Sequence, residues 1–171
     1  MDECAVKRAL TRISHEIIEH NNGTENVCLM GIISRGKPLA EFLRDKIGEI
    51  EGTCPPCAYL DIHFFRDDLS NKNPAPVVKD EELPFSIEGK DVILIDDVIF
   101  TGRTVRAAID ALFRHGRPRT VQLAVLVDRG HRELPIRSDY VGKNVPTSRN
   151  EIVKVLVPPY DDRISVELFD K

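Results

Sequence analysis

The chain has 171 residues, is 42% hydrophobic and carries a formal net charge of −4. That length fits one domain with a sizeable core, and the apolar share excludes disorder as the main state. No apolar run approaches a membrane span, the start MDECAVKRAL has no apolar signal core, and the acidic balance excludes nucleic-acid binding through overall charge, so a cytoplasmic protein is expected.

In chain order, Val6, Ala9, Leu10, Ile13 and Ile17 mark one face of a helix over about 4–20, whose other face carries Lys7, Arg8, Thr11, Arg12 and His15. Val27 to Ile33 reads as a buried strand. Ser34-Arg35-Gly36 is a turn, and Pro38 suits the first turn of the helix that Leu39, Leu43, Ile47 and Ile50 continue. Four cysteines occur, at 4, 28, 54 and 57. Cys28 reads as a core residue. Cys54 and Cys57 have the spacing of half a zinc site, but no second pair completes it, which favours a plain loop before the strand Ala58–Phe65. The polar stretch 65–88, with Pro74, Pro76 and Pro84, is expected to be a long flexible lid loop opened by Arg66, Asp67 and Asp68. A solvated loop start is the plainer reading of those three residues.

The stretch Val92 to Thr104 reads VILIDDVIFTGRT and carries most of the chemistry. Val92 to Ile95 has the composition of a buried parallel strand, and Asp96 and Asp97 fall where that strand should end. Thr101, Gly102 and Thr104 form a small-residue loop. Val105, Ala108, Ile109 and Leu112 then recur at helical spacing, with Gly116 placed to end the helix. A loop entering a helix N-terminus offers unpaired N–H groups and the positive end of the dipole, which suits a phosphate. Two carboxylates would repel that phosphate, so they should face the vicinal hydroxyls of a ribose. A dehalogenase nucleophile would need Asp-x-Asp and a Walker A loop would need Gly-Lys-Ser/Thr; neither is present. The bland alternative is a strand-turn-helix with a solvated acidic turn.

Thr120 to Val127 is a third strong strand, and Ile152–Val157 and Ile164–Leu168 are shorter ones. Strands alternating with helices imply an α/β fold with an open, mostly parallel sheet flanked by helices. The loops at 34–36, 65–88, 96–104 and 128–137 all follow strands and should gather on one rim. Between Arg114 and Arg137, six arginines stand against Asp128 and Glu133, a local basic excess in an acidic chain.

These residues carry a family resemblance. The 92–104 stretch resembles the phosphoribosyl diphosphate (PRPP) signature of type I phosphoribosyltransferases. RALTRISHE at 8–16, SRGKPLA at 34–40, LDIHFFRDDL at 60–69, LVDRGHRELPIR at 126–137 and GKNVPTS at 142–148 together resemble the PyrR family, regulators of pyrimidine operon attenuation that are also uracil phosphoribosyltransferases. The resemblance implies a single domain over 1–171 with a hood or lid loop, and UMP formation from uracil and PRPP with Mg²⁺ carried on the diphosphate rather than in a cage of protein side chains. It also implies catalytic roles for Arg35, Asp96 and Asp97. PRPP and UMP would be held by Ser34, Arg35, Gly36, Arg66, Asp96, Asp97, Val98, Ile99, Phe100, Thr101, Gly102, Arg103, Thr104 and Arg129, with the base near 126–130. Many purine transferases carry Asp where this chain has Phe100, which points to a pyrimidine that needs no side-chain base. The family's second activity, UMP- or UTP-responsive binding of a leader RNA, maps to Thr11, His15, His131, Arg132, Arg137 and Lys143, as a basic face away from the catalytic rim. A homo-oligomer, dimer or higher, would build a concave face for an RNA loop. A transferase without the RNA role, and an RNA-binding regulator with vestigial catalysis, are the competing functions.

Overall fold

The computed structural model describes residues 1–62 and 83–170. Arg66, with the part of the expected lid up to residue 82, lies outside the described residues. Helix α1 (Glu3–His20) leads to strand β1 (Val27–Ile32), helix α2 (Gly36–Glu51) and strand β2 (Cys57–Leu60). Strand β3 (Asp91–Ile99), helix α3 (Arg103–Leu112) and strands β4 (Thr120–Asp128) and β5 (Tyr140–Asn144) follow, and β6 (Glu151–Leu156) and β7 (Ser165–Asp170) close the chain.

Strands β1 to β5 form one parallel sheet in the order β2-β1-β3-β4-β5. The expected α/β architecture is therefore borne out. Along β3 the side chains alternate between two cores. Ile93 and Ile95 join Ile13, Ile17, Leu39, Leu43 and Ile47 under α1 and α2. Val92 and Leu94 join Met30, Val105, Ala108 and Leu112 under α3. With both faces covered, the strand has no polar side from Val92 to Ile95, as the unbroken apolar run requires.

Local chemistry sets the ends. Asp2 caps α1 by accepting from the Ala5 N–H at 2.8 Å. Gly52 ends α2 in the left-handed region, with φ of 76°. Three expectations need correction. The strand expected over Ala58–Phe65 ends at Leu60, short of Asp61 and Ile62, and 63–65 lie outside the described residues. β3 runs on through Asp96 and Asp97 to Ile99, because Asp96, Val98 and Ile99 stay in register with Val125, Val127 and Asp128 of β4. Helix α3 ends at Leu112, four residues before Gly116, because Arg114 and His115 donate to Ala111 and Leu112 and tighten the last turn.

The C-terminal strands pair with each other as an antiparallel ribbon. Val155 and Val166 of the ribbon enter the core under α1 and α2. The return between them, residues 157–164, brings the chain back to the start of α2.

Candidate functional site

The loops that follow β1 and β3 meet at the carboxyl ends of their strands, where an α/β sheet places its ligands. A cavity of about 210 Å³ is lined by Ser34, Arg35, Asp96, Asp97, Val98 and Thr104, with Ile32, Ile33 and Ile62 as its apolar wall. A second cavity, of about 270 Å³, is lined by Val98 to Val105 and by Glu133. Val98 and Thr104 line both, so the expected diphosphate turn, acidic pair and phosphate loop form one continuous site.

The acidic pair is held by backbone. The Asp97 N–H donates to Asp96 Oδ1 at 2.9 Å and the Val98 N–H to Asp97 Oδ1 at 2.8 Å. Asp96 is only 7% exposed. Burial pushes the Asp97 carboxyl above the ordinary carboxylate range, against the opposing pull of its hydrogen bonds to Asp96 and Val98 and of the Arg35 charge. A carboxylate held at that cost of desolvation suits a partner that donates hydrogen bonds.

At the phosphate loop, Gly102 has φ of 91° and stands directly before α3. A side chain there would be strained and would meet Leu134. Thr101 Oγ1 accepts from the Arg103 N–H at 3.3 Å, and the Thr101 carbonyl accepts from the Glu133 and Leu134 N–H groups at 2.9 and 3.2 Å. The 133–134 segment thus clamps the loop from outside, and Glu133 pairs with Arg103 at 3.0 Å. The opening N–H groups of α3 have no partner within the helix, which suits an anion.

At the diphosphate turn, the position of Gly36 has a steric cause. A Cβ there would lie 2.3 Å from the Ile95 carbonyl oxygen. The start of α2 therefore rests on the backbone of β3, one residue before Asp96. Arg35 extends from this turn and donates from Nε and Nη2 to Asp161, both at 3.1 Å.

Arg129, at the end of β4, has its guanidinium on Thr147 Oγ1 and on the carbonyls of Ser148 and Glu151, at 3.2, 3.2 and 2.7 Å. It stacks over the Phe100 ring at 4.1 Å, and the His131 ring meets the other side of that neighbourhood edge-on, 6.0 Å from Phe100. Arg129 therefore fixes Phe100 and the 147–151 segment.

Of the residues expected to hold RNA, Thr11 and His15 lie on α1 and Lys143 on β5. Arg12 Nη2 donates to the carbonyls of Val141 and Gly142, each at 2.9 Å, tying α1 to β5. Arg137 is exposed on the segment leading into β5. His131 Nε2 is 2.5 Å from the Thr147 carbonyl oxygen, and Arg132 pairs with Asp128 at the carboxyl end of β4, where Val127 and Asp128 lie in register with Lys143 and Asn144 of β5.

Sequence reasoning missed Asp161, Glu133 and the bridging role of Arg12. Arg12 could have been noticed, since it stands between Thr11 and His15 on the polar helix face. Asp161 gives no local signal, because only the return of the C-terminal ribbon brings it to the turn after β1.

The chain matches the phosphoribosyl transferase domain family over residues 2–163. It is 57% identical to the bifunctional protein PyrR of Caldicellulosiruptor bescii, over all of this chain and 95% of the relative. It is 56% identical to the bifunctional protein PyrR of Deinococcus radiodurans, over 96% of this chain and 90% of the relative. In fold it is similar to the hypoxanthine phosphoribosyltransferase of Trypanosoma cruzi, with a TM-score of 0.76 at 16% identity over 99% of this chain and 94% of that one. The hypoxanthine phosphoribosyltransferase of Staphylococcus aureus superposes with a TM-score of 0.68 at 21% identity, covering 88% and 78% of the two chains. The distant structures speak for the fold alone, whereas the near full-length relatives decide the family: the chain is a type I phosphoribosyltransferase and belongs to the PyrR family of bifunctional proteins.

Proposed function

We propose that the protein transfers the phosphoribosyl group of PRPP to uracil, giving UMP and diphosphate, and that it also binds a pyrimidine-operon leader RNA in response to UMP or UTP. The observation that carries the enzymatic half is the joining of three subsites around Val98 and Thr104. The N–H groups of 101–104, with the Thr101 and Thr104 hydroxyls, receive the 5′-phosphate. Asp96 and Asp97 accept from the ribose hydroxyls. The Ser34–Gly36 turn and the Arg35 fork receive the diphosphate as it leaves C1.

Uracil then lies between Phe100 and the backbone of 128–130, with a ring nitrogen facing C1. The chain supplies placement rather than covalent chemistry, which is where most of the rate is to be found for two bound reactants. No group of three or more metal-ligating side chains occurs among the described residues. Mg²⁺, if bound with PRPP, would be held chiefly by substrate oxygens beside the Asp96 and Asp97 carboxylates and would supply charge neutralisation for the leaving diphosphate. No helix among the described residues is long and apolar enough to cross a membrane; we place the reaction in the cytoplasm, on a single domain over 1–171 with residues 65–88, Arg66 included, as its lid.

The test of base choice is an initial-rate comparison at equal PRPP. Uracil should be turned over faster than hypoxanthine or guanine; a faster purine would overturn the assignment. The regulatory half is supported by the near full-length bifunctional PyrR relatives, with the tie from Arg12 to β5 joining the element that carries Thr11 and His15 to the one that carries Lys143. Its test is a gel shift with the leader RNA and a scrambled copy, with and without UMP. Equal binding of both RNAs would sink it. A dimer or larger oligomer would pair such faces into one concave surface.

A further inference from the structure

Arg35 is held from outside its own turn. Asp161 receives Nε and Nη2 of the guanidinium side-on, both at 3.1 Å, across 126 positions of sequence. The carboxylate is itself fixed, because its Oδ2 also accepts from the Val157 N–H at 2.9 Å. The Tyr160 and Asp161 N–H groups return to the Val157 carbonyl at 3.1 Å, so the 157–161 segment is a closed turn with the carboxylate at its tip. The Asp161 side chain is 15% exposed and that of Arg35 is 35% exposed. Otherwise this turn meets α2 through apolar groups: Pro38, Leu39, Val157, Pro158 and Ile164 line a cavity of about 200 Å³ between them. Apolar contact of that kind is non-directional, so the ion pair is what fixes the guanidinium's direction.

A side-on pair uses two of the five guanidinium donors, and among the described residues the Nη1 edge is left free. Resting on the reading of Ser34–Gly36 as the diphosphate turn, we infer that Asp161 is a positioning residue for phosphoribosyl transfer, which holds Arg35 side-on so that its free edge meets the diphosphate. An unheld arginine must be ordered when the substrate binds, and its rotamer freedom is among the largest of any side chain. Two effects of Asp161 oppose each other here. Its charge partly cancels the attraction of Arg35 for diphosphate, but the pair lies at a solvated rim where such charge effects are screened. The ordering of the fork is not screened, so ordering wins.

The experiment uses the full chain and Asp161→Asn, which keeps an acceptor for the Val157 N–H but loses the charge and the bidentate geometry. Asp161→Ala serves as the second variant. The readouts are KM for PRPP, inhibition by inorganic diphosphate, the affinity for UMP alone, and thermal midpoint. Both variants should raise KM for PRPP and weaken diphosphate inhibition about tenfold, leaving UMP affinity unchanged, since UMP has no diphosphate for Arg35 to meet. In an Arg35→Ala background, Asp161→Asn should add nothing. Unchanged diphosphate inhibition, tighter diphosphate binding, or an equal loss of UMP affinity would each overturn the inference. Wild-type protein that fails to form UMP would instead overturn the enzymatic reading itself, so the two failures are distinguishable.

Discussion

The chemistry of this site turns on side chains whose surroundings oppose their charge. Asp97 is the clearest case: burial raises its pKa, while the Asp96 and Val98 contacts and the Arg35 charge pull it back only in part. Its sign in stability follows. An acid whose folded pKa lies above its unfolded value stabilises the fold most below the unfolded pKa, and that contribution is lost as pH rises through the folded pKa. If, as proposed, the ionised Asp97 accepts from the ribose hydroxyls, kcat/KM for PRPP should fall on the acid side at a pH above the ordinary carboxylate value of about 3.9. A pH–rate profile of wild type beside Asp97→Asn checks this, and the variant should lack that limb. It should also lose about 30- to 100-fold in kcat/KM, the equivalent of about 2–3 kcal/mol for charged hydrogen bonds to the sugar. Wild-type kinetics in that variant would remove Asp97 from the site. Asp96 and Asp97 were legible in the sequence because paired carboxylates after a buried run are chemically conspicuous. Asp161 was not, since its partner is brought to it only by the tertiary fold.

At the scale of elements, the sequence marked out the main helices and strands but misjudged some of their ends, two of them beside the site. Asp has low strand propensity, so the run Val92–Ile95 looked complete; the ladder to β4 carries the strand four residues further. Gly116 looked like a helix cap, yet its φ of 147° serves a turn packed on Ile87 and Glu88, with α3 already closed. The start of α2 is set by contact. Gly36→Ala must push the helix from the Ile95 carbonyl, and a loss of roughly 1–3 kcal/mol is expected for such overpacking. Chemical denaturation measures it, and unchanged stability would mean that the contact yields freely. The opening of β3 is held by polar groups instead. Arg119 binds Asp91 through both nitrogens of its fork and Thr120 donates to the same carboxylate at 2.8 Å. The Arg119 contact, ahead of any other, holds the Asp91 carboxyl below its ordinary range. That contribution is present above the unfolded pKa and is lost as pH falls through the folded one. Asp91→Ala should cost about 1–2 kcal/mol near neutral pH and less in acid, as seen by denaturation across pH.

On the scale of the whole molecule, the proposal gives an acidic chain two working surfaces, a transferase site at the strand-end rim and an RNA face drawing on Thr11, His15, Arg137 and Lys143. Arg137 is exposed, and Arg12 ties α1 to β5. The family role of the RNA-face residues was legible only through the resemblance, because single basic residues on a solvated face carry no signal of their own. The structure adds that Arg132 is paired with Asp128 at the end of β4. Charge removal should therefore have different consequences on the two surfaces. Lys143→Gln and Arg137→Gln should leave UMP synthesis near wild type and weaken leader-RNA binding at least roughly tenfold, with a shallower salt dependence as fewer counterions are released. Arg132→Gln should instead disturb catalysis as well. Loss of catalysis in Arg137→Gln would merge the two surfaces into one. The transferase claim itself is tested most directly by following purified protein with uracil, PRPP and Mg²⁺ and counting both products. The account predicts UMP and diphosphate in equal amounts, with turnover largely lost in the folded Asp97→Asn variant; no UMP from the wild type, or undiminished UMP from the variant, would contradict it.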